Sequence, residues 1–215
     1  MKIIDLSWKY TKNIRVFEGG IPLVIRKEGD TSAGDVMELT YIENFCMHYG
    51  THLDCPGHFV SGGFHVDDKP ADFYMGEGIV IDCSGYGEGT KYGMEVLEGV
   101  DLTGKEFVLF HINWAKNWDN PEQYGPYPVM TEELARYMAA LSIKGIGVET
   151  NNVDTTGDAE FPIHRNFLKC NNKVLYEALT NLDLLVGKDF TFIGLPLNVQ
   201  AGEGAPLRAV ALVRE

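Results

Sequence analysis

His48-Tyr49-Gly50-Thr51-His52-Leu53-Asp54-Cys55-Pro56-Gly57-His58 gathers three of the chain's six histidines and an aspartate into eleven residues. Six imidazoles spread evenly over 215 residues would leave most such windows empty. Imidazole and carboxylate are the donors that zinc and manganese prefer, and H-x3-H-x-D-x3-H puts four within reach of one cation. Gly50, Pro56 and Gly57 interrupt any long helix here, so the expectation is an irregular loop. No glutamate follows the first histidine, which excludes the helical base of zincin-type proteases. The bland alternative is a loop whose histidines only bond neighbouring carbonyls. Three imidazoles beside a carboxylate weigh against it.

The loop follows an alternating run, Val36 to Ile42, with Met37, Leu39 and Tyr41 on one face and Glu38 and Thr40 on the other. Upstream, Ile3 to Trp8 and Ile21 to Arg26 read as short strands separated by the Gly19-Gly20 turn signal. Downstream, Ile79 to Cys83 and Phe107 to Ile112 are apolar runs suited to a central sheet. One helix is clear: Thr131 caps it, Glu132 and Glu133 favour its first turn, and Leu134, Tyr137, Met138 and Leu141 share a face. Gly145 reads as its stop, and Gly147-Val148-Glu149 starts a strand. A second helical stretch covers Ile163 to Cys170, and strands return at Phe190 to Leu195 and Leu207 to Val213. Mixed strands and helices without strict alternation give α/β or α+β, not a regular doubly wound fold.

No repeat or linker divides residues 1–215, so one domain is expected. Its size supports a single core, and 45% hydrophobic with 11% aromatic residues rules out intrinsic disorder. The formal charge of −13 sets the chain against phosphate backbones and anionic lipid, which argues against nucleic-acid and membrane partners. Asp5 interrupts the apolar stretch a signal peptide needs, and no run reaches a membrane span, so a cytoplasmic location is expected. Cys46, Cys55, Cys83 and Cys170 form no C-x-x-C pair and read as reduced thiols.

The run from His48 to Phe59 resembles the H-x-G-T-H-x-D-x-P-x-H-F signature of the cyclase-like metal-dependent hydrolases, kynurenine formamidases and isatin hydrolases among them. Asp5-Leu6-Ser7 is similar to that family's opening strand. Gly147-Val148-Glu149-Thr150 through Val153-Asp154 resembles its G-(I/V)-(D/E)-T-x-S-V-D segment, with Asn152 in place of the serine. Tyr176-Glu177-Ala178-Leu179 with Asn181-Leu182-Asp183, and Gly204-Ala205-Pro206-Leu207-Arg208, resemble its later motifs.

The resemblance implies a compact mixed α/β domain of the swivelling β/β/α type, paired as a homodimer. It implies that His48, His52 and Asp54 hold one divalent metal, Zn²⁺ or Mn²⁺. Asp54 and Glu177 would bridge to a second metal that His164 also holds, giving one or two ions per chain. His58 takes the role of proton carrier. Phe17 stands where the formamidases have a substrate-stacking tryptophan. His164 to Glu177 is one residue longer than in those enzymes, which leaves the second metal open.

The expected chemistry is hydrolysis of a small-molecule amide. A bound dication lowers the pKa of water from 15.7 towards 7, and a nearby histidine can carry its proton to the leaving nitrogen. A linear aryl formamide of the N-formylkynurenine type is the first reading. A cyclic amide or lactone, or a non-catalytic metal-binding protein of the same fold, are the alternatives. His65 and His111 read as bystanders. Glu149 supports a ligand histidine or bonds backbone at a strand end. Phe17, Phe59 and Phe64 are the aromatics expected near the site, with Trp8, Phe73, Tyr74 and Trp114 mostly core.

Overall fold

Phe107–His111 is buried at every position, and its side chains divide by parity. Val108 and Phe110 enter one hydrophobic core, while Phe107 and Leu109 enter another. A strand covered on both faces requires this. The structure, a computed structural model, describes residues 1–17 and 19–214. Its elements run β1 (Lys2–Asp5), β2 (Val24–Glu28), β3 (Leu39–Glu43), β4 (His52–Asp54), β5 (Met75–Asp82), β6 (Lys91–Tyr92) and β7 (Phe107–His111). There follow α1 (Pro121–Tyr124), β8 (Val129–Met130), α2 (Glu132–Ala140), β9 (Gly145–Val148) and α3 (Pro162–Leu168). The chain ends with β10 (Val174–Glu177), β11 (Phe190–Ile193), β12 (Gly204–Pro206) and β13 (Val210–Val213).

Nine strands form one mixed sheet in the order β1-β13-β11-β5-β7-β9-β10-β4-β12. β5, β7, β9 and β10 are parallel at its centre, and antiparallel pairings extend it on both sides. The sheet curls. Past β1, Ser7 bridges Leu179 and the Thr180 amide donates to the Leu6 carbonyl at 3.0 Å, drawing one edge round to the far end of β10. The mixed α/β class expected from the sequence is therefore present.

Helices α2 and α3 cover the face of Val108 and Phe110, where Leu134, Met138 and Phe167 join them. The opposite core holds Leu53, Tyr176 and Phe192. Fully burying side chains of this kind stabilises by about 1.5–3 kcal/mol each. A Cβ at Gly147 in β9 would lie 2.7 Å from both Leu109 Cδ2 and Leu179 Cδ1, so a larger residue would have to push two buried leucines aside.

The Thr131 hydroxyl caps α2 as expected, accepting from the Leu134 amide at 3.2 Å. Gly145 is not the helix stop; it opens β9. The helix end is closed by the Leu141 amide, which donates to the Met138 carbonyl at 3.3 Å. Just past it Lys173, almost fully buried, donates its Nζ to the Leu141 and Ile143 carbonyls at 2.6 and 2.8 Å. Of the alternation at Val36 to Ile42, the part from Leu39 on belongs to an outlying hairpin rather than to the main sheet: among the described residues β3 pairs only with β2, and Leu39 and Ile42 are 41% and 44% exposed. No helix among the described residues is long and apolar enough to cross a membrane.

Candidate metal centre

The His-x-Asp pair lies on a strand, not on the irregular loop expected. β4 is held from both sides: His52 lies opposite Glu177 of β10 and Pro206 of β12, and Asp54 opposite Leu175 and Gly204. These partners lie far along the chain, so the local run does not reveal the strand. Alternation then sends Leu53 into the core behind, leaving His52 and Asp54 on the opposite face. Thr51 pins the entry to β4, donating its hydroxyl to the Ala178 carbonyl at 2.7 Å and accepting from the Trp8 amide at 2.9 Å. His48 lies before the strand, and His58 closes the single turn at Pro56–His58 after it.

Helix α3 brings His164 over the same face. Its Nε2 lies 3.1 Å from Asp54 Oδ2 and 3.2 Å from Glu177 Oε1. His48 Nδ1 lies 2.7 Å from Asp54 Oδ1. His52 Nε2 lies 3.4 Å from both Asp54 Oδ1 and Glu177 Oε2, joining the two groups. The donor atoms of His48, His52 and Asp54 lie within 4.8 Å of one another, as do those of Asp54, His164 and Glu177. The structure thus brings together all five residues that the resemblance implied as ligands. The longer spacing before Glu177 does not turn its side chain away. His58 stacks on His48 with ring centroids 4.1 Å apart, close to the cluster but outside both groups.

Asp154, although it closes the Val153-Asp154 segment of the family resemblance, and Glu203 take no role from the sequence. Asp154 is fully buried and caps α3 from a distance, accepting from the Ile163 amide at 2.6 Å and the His164 amide at 3.2 Å. It also lies 2.6 Å from His164 Nδ1. The signal available was a Pro-led helix with no capping side chain of its own. Glu203 faces His48 from the turn before β12; an acid between glycines gave no periodic signal.

The charges explain what the cluster attracts. Burial opposes a charge on His48, but Asp54 and Glu203 outweigh it and raise the pKa from 6.5 to about 9. His164 is likewise buried, yet Glu177, Asp154 and Asp54 raise its pKa well above the usual value. Asp54 is held well below the carboxylate range because the surrounding histidines overcome its burial. In His58, partial loss of solvent, with the charges of His48 and His164, outweighs Asp54 and Glu177 and lowers the pKa, so the ring is neutral at pH 7. Converging carboxylates and imidazoles, with His48 and His164 protonated when no cation is present, fit a divalent metal by their chemistry.

A pH dependence follows. His48 titrates at about 9 when folded against 6.5 ordinarily, so its contribution to metal-free stability is complete below pH 6.5 and lost as pH rises through about 9. A cation must displace that proton. Affinity is therefore expected to rise with pH up to about 9, and calorimetry at pH 7 in buffers of different ionisation enthalpy should show proton release. Binding without proton release would contradict the protonated cluster.

The cluster floors a cavity of about 490 Å³ walled by Phe17, Phe59 and Phe161, with Asn151, Asn152 and Asp158 as polar lining residues. Phe59 stacks on His164 at 4.7 Å. Phe64 does not reach the cavity: it packs on Phe73 under the Lys69 ammonium. Trp8 stacks on Trp118, and Trp114 is core. His65 lies outside the cluster, 3.8 Å from Asp68. Glu149 supports no cluster histidine; it accepts from the Ile112 and Trp114 amides at 2.9 and 3.0 Å and lies 3.0 Å from His111 Nδ1. It is the strand-end carboxylate of the two readings.

The chain is 28% identical to a kynurenine formamidase of Geobacillus thermodenitrificans (strain NG80-2) over 207 residues, covering 96% of this chain and 95% of that protein. A kynurenine formamidase of Bacillus cereus is 29% identical over 211 residues with the same coverage. Among solved structures, isatin hydrolase A from Labrenzia aggregata bound to benzyl benzoate aligns with a TM-score of 0.85 at 28% identity, over 100% of this chain and 94% of that one. The sequence model described as "Putative cyclase" matches residues 4–155, the greater part of the chain and the whole of the His48–His58 cluster. The chain belongs to this cyclase family.

Proposed function

We propose that the protein is a divalent-metal-dependent hydrolase that cleaves a linear aryl amide, a formamide of the N-formylkynurenine type. The observation that carries this reading is one cavity holding the buried acid–imidazole cluster, a neutral histidine beside it and three phenyl walls. His48, His52 and Asp54 would hold one cation, and Asp54, His164 and Glu177 a second; Zn²⁺ and Mn²⁺ both suit these donors. A cation bound there supplies an acidified water and a positive charge opposite the amide carbonyl. His58 takes the water's proton at a ring nitrogen and returns it to the leaving amine nitrogen. Phe17, Phe59 and Phe161 orient the aryl group, each contact adding about 0.5–1.5 kcal/mol. An arylamine leaves more readily than an alkylamine, so this set of groups suffices.

A second reading is supported by the likeness to isatin hydrolase A: a cyclic amide opened by the same groups. A substrate panel on Zn²⁺- and Mn²⁺-loaded protein separates the two. The expected result is kcat/KM for formyl-arylamines well above that for alkyl formamides of similar size. Turnover confined to cyclic amides would establish the second reading, and no turnover on any arm after metal loading would leave a binding protein. The exposed apolar hairpin β2–β3 supports a homodimer, because it leaves Leu39 and Tyr41 in solvent on one face and Ile42 on the other, beside a groove of about 600 Å³ bordered by Tyr10, Phe45 and Leu207. A cytoplasmic setting accords with its free thiols.

A further inference from the structure

Each imidazole of the centre uses its two nitrogens in the same way. His52 Nδ1 must donate to the Gly50 carbonyl, 2.8 Å away, because that oxygen only accepts. This leaves Nε2 facing Asp54 and Glu177. His164 has Asp154 at 2.6 Å on Nδ1, and its Nε2 likewise faces Asp54 and Glu177. His48 is reversed: Nδ1 faces Asp54, and the outward nitrogen, Nε2, lies 3.1 Å from Glu203 Oε1. An outward acceptor selects the tautomer and fixes the ring that a metal needs.

The backbone is built to bring Glu203 there. Its carbonyl accepts from the Cys55 amide at 2.8 Å, tying the residue to the end of β4. The next residue, Gly204, lets the His48 ring lie against the strand, since a Cβ there would come within 2.5 Å of His48 Cε1. His58 stacks on the other face of His48, and its donor atoms fall within 4.8 Å of those of His48 and Glu203.

We propose that Glu203 is the positioning residue of this centre: it accepts the Nε2 proton of His48, leaves Nδ1 bare for the cation, and steadies the ring on which His58 stacks. The proposal rests on the metal-dependent reading above. It places the acceptor for the first-metal histidine in the turn before β12, a strand that contributes no ligand itself.

The test compares the metal affinity of the full-length chain with that of Glu203→Ala and Glu203→Gln, by competition with a chromogenic chelator for Zn²⁺. Loss of an outer acceptor typically weakens binding by about 10- to 100-fold. That loss is expected for Glu203→Ala. Glu203→Gln, whose amide oxygen can accept the same proton, should recover most of it. The side chain is 41% exposed, so neither change empties a core position, and near-ultraviolet circular dichroism checks the fold. Equal weakening in both variants would overturn the positioning role in favour of a charge or ligand role. Unchanged affinity in Glu203→Ala while His52→Ala loses metal would also overturn it, with the metal reading intact. Unchanged affinity in His52→Ala as well would overturn the metal reading instead.

Discussion

Replacing His52 with alanine should strip the purified protein of the cation held by His48, His52 and Asp54. His52 is 1% exposed and its Nε2 stands 3.4 Å from both Asp54 and Glu177, so one substitution removes a donor where the two groups meet. Apparent binding energies of four-donor zinc sites are about 10–16 kcal/mol, so one donor is worth on the order of 3 kcal/mol. That corresponds to a Kd weaker by about 10²-fold. Elemental analysis after dialysis checks it, with His65→Ala as the control, because His65 lies outside the cluster. One or two equivalents in the wild type and the control, and one fewer in His52→Ala, is the expected pattern. Unchanged metal in His52→Ala would falsify the ligand assignment. A wild-type content of two would support the second group, Asp54, His164 and Glu177; a content of one would confine the cation to His48, His52 and Asp54.

The sequence showed the chemistry of this site more clearly than its geometry. Donor type and spacing are local, so His48, His52, Asp54 and His58 could be read from eleven residues. The α2 helix was legible in its Thr131 cap, its acidic first turn and the buried Leu134 and Met138, which lie within one short run. Tyr137 of the expected stripe is exposed, and Leu141 falls just past the helix end. β4 was not legible, because three residues become a strand only when β10 and β12 pair with them. The hairpin carried a periodic signal that normally marks a half-buried face, but its partner face is absent from this chain's sheet. Asp154 and Glu203 escaped for a related reason. Glu203 acts on a histidine 155 residues away and Asp154 on one ten residues on, across a turn, and an acid in a turn looks the same whether it meets water or an imidazole. Glu149 shows the converse: an acid in a recognisable motif whose work is to bind two backbone amides.

His58→Ala should retain its metal and lose most of its turnover. The side chain lies outside the two proposed ligand groups, and its closest ring contact is the stack on His48 at 4.1 Å, so truncation removes no donor from either. What is lost is a base in its neutral form: partial loss of solvent, with the charges of His48 and His164, lowers its pKa below 6.5, despite the pull of Asp54. A proton carrier of this kind is worth about 10²- to 10⁴-fold in rate. The wild-type kcat/KM should therefore hold through pH 6.5 and fall only as pH drops through the lowered pKa, when His58 becomes charged. In His58→Ala that acidic limb should disappear, leaving a slow rate that added imidazole partly restores. Metal content measured on the same sample separates the possible roles. Loss as complete as in His52→Ala would make His58 a ligand. Full turnover with metal retained would remove it from the reaction and leave the proton transfer to solvent.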